Sequence, residues 1–184
     1  MEKGLKKIFY GYIIIILNIN LFFVDLTADF LGYIIIAKGL KELSFKNEIF
    51  KRGIIIAKFL ATYEFYTLSL KFIGLLNVEN IYLDSLLNIA LSILGLLLLD
   101  SILGGIFLEA KDCENIQIEK KSNNLWKCNV IYISIYLIYS AFNLNFYHVD
   151  FIKGIGVMLF IFSFILYIYM ILLFRKAGKD LDVA

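Results

Sequence analysis

Residues 154–174 run without a charged side chain, and a helix needs about 20 such residues to cross a hydrocarbon core about 30 Å thick. No other feature limits the fold as much. Backbone N–H and C=O groups find no water inside lipid, so only helices and closed barrels can span it. Apolar runs recur at 8–24, 26–40, 53–75, 81–106 and 129–147. The chain is 61% apolar and 18% charged, against about 25% charged in ordinary soluble domains. A soluble fold of 184 residues cannot hide that much apolar surface, and disorder is excluded for the same reason. The expected architecture is an all-α, polytopic membrane helical bundle of about six transmembrane helices, one integral domain over 1–184. The lipid bilayer is its first partner, and the bacterial inner (cell) membrane its expected location.

The six runs are unequal. At 1.5 Å per residue, 26–40 reaches only about 22 Å, so it reads either as a short span or as a re-entrant segment packed inside protein. The fourth run continues toward Ala110, and its end is expected to project into the cytoplasm. The charged segment 111–127 should extend that helix before a turn at Ser122-Asn123-Asn124, leaving Trp126 at the inner interface. The first run has a basic start, as a signal peptide does. Leu26-Thr27-Ala28 is a poor cleavage site, so the run is read as a retained anchor. Six crossings put fifteen of the 18 Lys and Arg residues on one side, with Lys71 and Lys153 opposite and Lys58 inside the third run. The positive-inside rule makes that side, and with it both termini, cytoplasmic. Five crossings would put the basic 38–52 loop outside, against the rule.

Ionisable residues inside apolar runs are costly and therefore informative. Glu64 lies mid-way along the third run. Ala57, Ala61, Glu64 and Lys71 share its face, with Thr67 beside them, so that face should point into the bundle. Glu64 reads either as a proton- or cation-binding carboxylate or as a structural one, protonated or paired with Lys. Asp84, Asn88 and the face from Tyr136 to Asn143 are its expected neighbours. Ser92 and Gly95 continue the Asp84–Asn88 stripe, a pattern that permits close helix approach. Gly32 should permit another. Asp25 and Asp29 fall at the outer face with Asn18, Glu79, His148 and Asp150. These carboxylates, Asp84 among them, either hold a hard cation through oxygen, attract a cationic solute, or are ordinary loop polarity, with Asp29 or Asp25 capping the second helix. Tyr132, Tyr136, Tyr139, Asn143 and Tyr147 follow one face of the fifth helix, as an aromatic solute pocket or as helix packing. Asp100 is a candidate partner for Lys58. The candidate substrate- or ion-binding set is thus Glu64, Asp25, Asp29, Asp84, Asn88 and Asn143.

The sequence holds no Ser-His-Asp order, no H-E-x-x-H, no P-loop and no dinucleotide glycine fingerprint. No catalytic residue, cofactor or metal is expected. Cys113 and Cys128 cannot form a disulfide framework and read as ordinary thiols. A single His does not support a His-rich metal site. A net charge of +2, placed between apolar runs, does not favour nucleic acid.

Residues 18–33, Asn-Ile-Asn-Leu-Phe-Phe-Val-Asp-Leu-Thr-Ala-Asp-Phe-Leu-Gly-Tyr, are followed by Ala37-Lys38-Gly39-Leu40 and Leu43. With Leu-Trp-Lys at 125–127, they resemble a segment of small uncharacterised multi-pass membrane proteins of Firmicutes. There an acidic residue precedes a Pro-Asp-Phe-Ile-Gly-Tyr-like stretch, and Ala28 stands here at the Pro position. The resemblance implies an integral membrane protein and brings no chemistry with it. Size and span number also resemble the substrate-capture subunits of energy-coupling-factor importers, whose Ala-x-x-x-Ala pattern on the first helix is missing here. The functional expectation is a small solute- or ion-binding transport component, driven by a gradient or a partner ATPase. The alternative is a non-transport assembly protein, joined to a membrane partner or a second copy through helix contacts and the 111–127 segment. A membrane enzyme comes third, supported only by the paired carboxylates.

Overall fold

The computed structural model describes residues 1–17, 20–21, 24–25, 29–73, 81–146 and 149–181, and the side chains of these except 17, 20–21, 24–25, 71–72 and 81–84. Its described helices are α1 (Glu2–Leu17), α2 (Asp29–Leu43), α3 (Ile49–Phe72), α4 (Ile81–Asp112), α5 (Ile116–Phe146) and α6 (Asp150–Asp180). Between α1 and α2 the short strands β1 (Asn20–Leu21) and β2 (Val24–Asp25) pair antiparallel, Asn20 opposite Asp25. Among the described residues of the first expected span, 8–24, the helix ends at Leu17 and strand pairing follows. The sequence Asn-Ile-Asn at 18–20 is a poor helix interior, because Asn competes for local backbone groups.

Consecutive helices pack side by side, and α6 returns to α1. Phe30 meets Phe65 across α2 and α3, and the Phe50 ring lies against Gly105 across α3 and α4. Tyr139 lies against Gly156, and Lys176 donates to Gln117, across α5 and α6. Tyr12 meets Phe174, and Gly178 meets Leu5, across α6 and α1. Every neighbouring pair is antiparallel, so the six helices form a closed up-and-down ring. One end of it gathers the start of α1, the end of α2, the start of α3, the end of α4, the start of α5 and the end of α6, where the Lys and Arg residues are concentrated.

The closest joint is between α1 and α2. A Cβ placed on Gly32 would lie 2.8 Å from the Gly11 carbonyl oxygen, and one on Gly39 would lie 2.6 Å from the Gly4 carbonyl oxygen. Gly4 and Gly11 are seven apart, as are Gly32 and Gly39. Seven residues make about two helical turns, so each pair faces one way and the two pairs meet twice. The close contact expected at Gly32 is present, and Ile8 and Ile36, both fully buried, fill the space between the two meetings. Lys7 pairs with Glu42 beside the Gly4–Gly39 contact.

The α4–α5 turn differs from its expected position. The chain turns at Cys113–Asn115, where Glu114 takes φ 54°. Asn115 then accepts the Ile118 amide through Oδ1 at 3.2 Å, a cap for the new helix. Ser122-Asn123-Asn124 is consequently helical, and Ser122, fully buried, donates to the Leu103 carbonyl at 2.7 Å. Trp126 packs against the core from a half-buried position. Ser122→Val should lower stability by about 1 kcal/mol, the net worth of one buried hydrogen bond, read as a lower unfolding midpoint in detergent.

Burial is concentrated at the basic end. No described residue of α3 beyond Ala61 is buried, nor any of α4 before Leu98, of α5 after Leu125 or of α6 before Leu166. Toward the other end, Leu86, Ile93, Ile138, Phe142, Phe151 and Phe160 are exposed. Exposed apolar surface on that scale suits lipid. Three helices are long and apolar enough to cross a membrane: Ser85–Asp112 within α4, then α5 and α6. With 16 and 15 residues, α1 and α2 reach only about 24 and 22 Å. α3 is long enough but carries Lys51, Arg52, Lys58, Glu64 and Lys71.

Candidate functional site: a tyrosine-walled cavity

Where the packed half of the ring stops, the helices enclose a cavity of about 380 Å³. Tyr12 and Ile15 of α1 and Tyr33 of α2 form one wall. Asn88, Ser92, Gly95 and Leu99 of α4 form the second, and Asn129, Tyr132 and Tyr136 of α5 the third. Ser163, Leu166, Tyr167 and Met170 of α6 close it. The local reasons are traceable. The glycine joint sets the register of α1 on α2, and Tyr12 and Tyr33 each follow a joint glycine by one residue. On α5, Tyr132 and Tyr136 are one turn apart and stack with centroids 6.3 Å apart. Phe162 of α6 holds Tyr132 from outside at 6.0 Å, and the Ser163 hydroxyl sits beside its phenol.

Gly95 acts against expectation. A Cβ there would meet nothing within 4 Å, so the glycine widens the cavity and brings no helix closer. The floor is the packed half itself, in which Leu98, Leu99 and Met170 are buried. No Lys, Arg, Asp or Glu is among the described lining residues. Two acidic residues act on the wall: Asp29 interacts electrostatically with the phenols of Tyr33 and Tyr167, and Glu64 with that of Tyr33. Asp29 begins α2, one turn before Tyr33, and its Oδ1 atom is buried.

The candidate residues are thus divided. Asn88 lines the cavity, and Ser92 and Gly95 continue its stripe along the same wall. Asp29 and Glu64 are not among the cavity's described lining residues but interact electrostatically with the Tyr33 phenol. Glu64 is half-buried on the face that also buries Ala57 and Ala61. The phenol it acts on belongs to α2, whereas the sequence pointed to α4 and α5. Asn143 is outside the cavity and accepts a long hydrogen bond, 3.4 Å, from the Tyr139 hydroxyl. The side chains of Asp25, Asp84 and Lys71 lie outside the described residues, as do Asn18, Glu79, Tyr147 and His148. Of the tyrosine stripe, Tyr132 and Tyr136 line the cavity while Tyr139 packs on Gly156. Asp100 and Lys58 are both exposed and make no ion pair with each other among the described residues. Cys113 is half-buried and Cys128 exposed, both as free thiols.

Sequence reasoning missed Tyr12, Tyr33, Asn129, Ser163 and Tyr167. The paired seven-residue glycine spacing was the usable signal for the first two, since it fixes which faces of α1 and α2 meet. The α6 residues carried none, because that helix is apolar on every side. No family model, curated protein or solved structure matches the chain.

Proposed function

We propose that this is a multi-pass membrane protein of six crossings that captures a small organic cation in the tyrosine-walled cavity, as a component of a transport system. The observation that carries the reading is a cavity faced by five phenol rings, two of which feel nearby carboxyl groups, with no basic group among its described lining residues. A cation over an aromatic face gains about 0.5–2 kcal/mol, the larger figure when water is excluded. A volume of about 380 Å³ falls within the usual range of roughly 300–1,000 Å³ for small-molecule sites. Support for six crossings comes from the closed antiparallel ring, in which α1 and α2 sit between α6 and α3, and from the basic residues at one end. On this reading that end is cytoplasmic and holds both termini. The packed half then seals the inner side, and the cavity faces outward.

The binding test uses protein purified in mild detergent, with benzyltrimethylammonium, benzyl alcohol and benzenesulfonate as probes. The cation should raise the unfolding midpoint in a saturable way, by an amount equivalent to about 2.7 kcal/mol at a hundred times its Kd. Equal or greater stabilisation by the sulfonate, or none by the cation, would overturn the reading. Topology has its own check. Cysteines introduced at Lys46 and Lys120, with Cys113 and Cys128 replaced, should resist an impermeant maleimide in intact cells and react after lysis. Labelling from outside would reverse the orientation.

A further inference from the structure

We propose that the seam between α1 and α6 at the basic end is a binding site for an anionic phospholipid, its phosphate held by Lys6, Arg175 and Lys179. A groove of about 360 Å³ opens there. Those three cations stand on its rim, and Phe9, Tyr10 and Phe174 form its apolar part. Lys6, Arg175 and Lys179 are exposed, and none makes an ion pair or hydrogen bond among the described residues. Elsewhere at this end several lysines have partners: Lys7 with Glu42, Lys51 with Glu48, Lys176 with Gln117 and Asp180. The seam therefore concentrates unspent positive charge, with Glu2 the one acidic residue among its described lining residues.

The apolar part tells lipid from a free anion. Phe174 is buried in the helix contact, whereas Tyr10 is 52% exposed and packs edge-on to Phe9, 5.2 Å between centroids. Leu172, one turn below Lys176 on α6, is exposed too. Basic groups over an aromatic slot match a phosphate with an acyl chain beneath it, and tyrosine is favoured at that level of a bilayer. Gly178 lines the groove, and a Cβ there would rest in ordinary contact, 3.6 Å from the Leu5 side chain. Commitment to lipid follows from this pairing, because a soluble phosphate would gain nothing from the slot. The site joins the first and last helices of the ring, so an occupant would brace its closure. It stands apart from the tyrosine cavity, and either can fail without the other.

The experiment is native mass spectrometry of the delipidated full chain, titrated with phosphatidylglycerol, phosphatidylcholine or inorganic phosphate, with unfolding midpoints measured in parallel. Phosphatidylglycerol should bind as one tightly retained molecule and raise the midpoint. The variant K6Q/R175Q/K179Q should weaken that binding by at least about tenfold, since each basic group near an anionic surface contributes several-fold. A control that removes as much charge away from the seam, K46Q/K120Q/K121Q, should bind almost as the unaltered chain does. Equal loss in both variants means diffuse charge attraction and overturns the site. Phosphatidylcholine binding as tightly as phosphatidylglycerol overturns the role of the cations. Stabilisation by inorganic phosphate alone to the same extent overturns the lipid. Both variants replace exposed side chains, and their midpoints in lipid-free detergent should match that of the unaltered chain.

Discussion

Gly32→Val and Gly11→Val should each lower stability by about 3 kcal/mol, the upper end for overpacked sites, and should do so more than any substitution in the outer half of the ring. The reason is what the new carbon meets. At Gly32 it lies 2.6 Å from the Ile15 side chain and 2.8 Å from the Gly11 carbonyl, and at Gly11 it lies 2.7 Å from the Gly32 carbonyl. A side chain can rotate away, but a backbone carbonyl moves only with its helix. The α1–α2 pair must therefore separate, and with it the packing of Ile8 and Ile36. Gly154 is the control, because a Cβ there meets nothing within 4 Å. Gly154→Ala should be neutral or gain up to about 1 kcal/mol of helix propensity. Unfolding midpoints in one detergent order the variants. A Gly32→Val protein as stable as Gly154→Ala would show that the two helices do not meet as described.

Gly95→Leu is expected to have the opposite profile: a sound fold and no ligand. Its side chain would grow into the cavity, where nothing lies within 4 Å of the Cβ. In the absence of ligand the midpoint should hold or rise, because leucine is a better helix former than glycine by about 1 kcal/mol. Stabilisation by benzyltrimethylammonium should vanish, since the volume it needs is filled. Loss of both stability and binding would mean that Gly95 is a packing residue. Persistence of the ligand effect would place the cation elsewhere.

Much of the architecture was legible because its causes are local or compositional. Long apolar runs had to become helices over most of their length, and the gathering of Lys and Arg fixed which helix ends belong together. Two boundaries misled: the end of α1, which stops at Leu17 and not at 24, and the α4–α5 turn. Asn115 and Glu114 end one helix and start another through a cap and a left-handed residue, whereas Ser-Asn-Asn at 122–124 looks like a turn and is helical. A buried serine is satisfied inside a helix when a neighbouring helix offers a carbonyl, here that of Leu103, and the local sequence does not record that neighbour.

The cavity marks where reading a sequence stops. Periodicity shows which residues share a face, as for Ala57, Ala61 and Glu64 or Tyr132 and Tyr136, because a helix repeats about every 3.6 residues. It does not show which face meets which when a helix is apolar all round, as α6 is over 154–174. Helix content, membrane character and the charge asymmetry between ends were written in the chain. The convergence of Tyr12, Tyr33, Tyr132, Tyr136 and Tyr167 on one space was decided only by tertiary packing. The paired glycines set the register of α1 and α2, ring closure brought α6 back to α1, and tight packing stopped halfway along the helices.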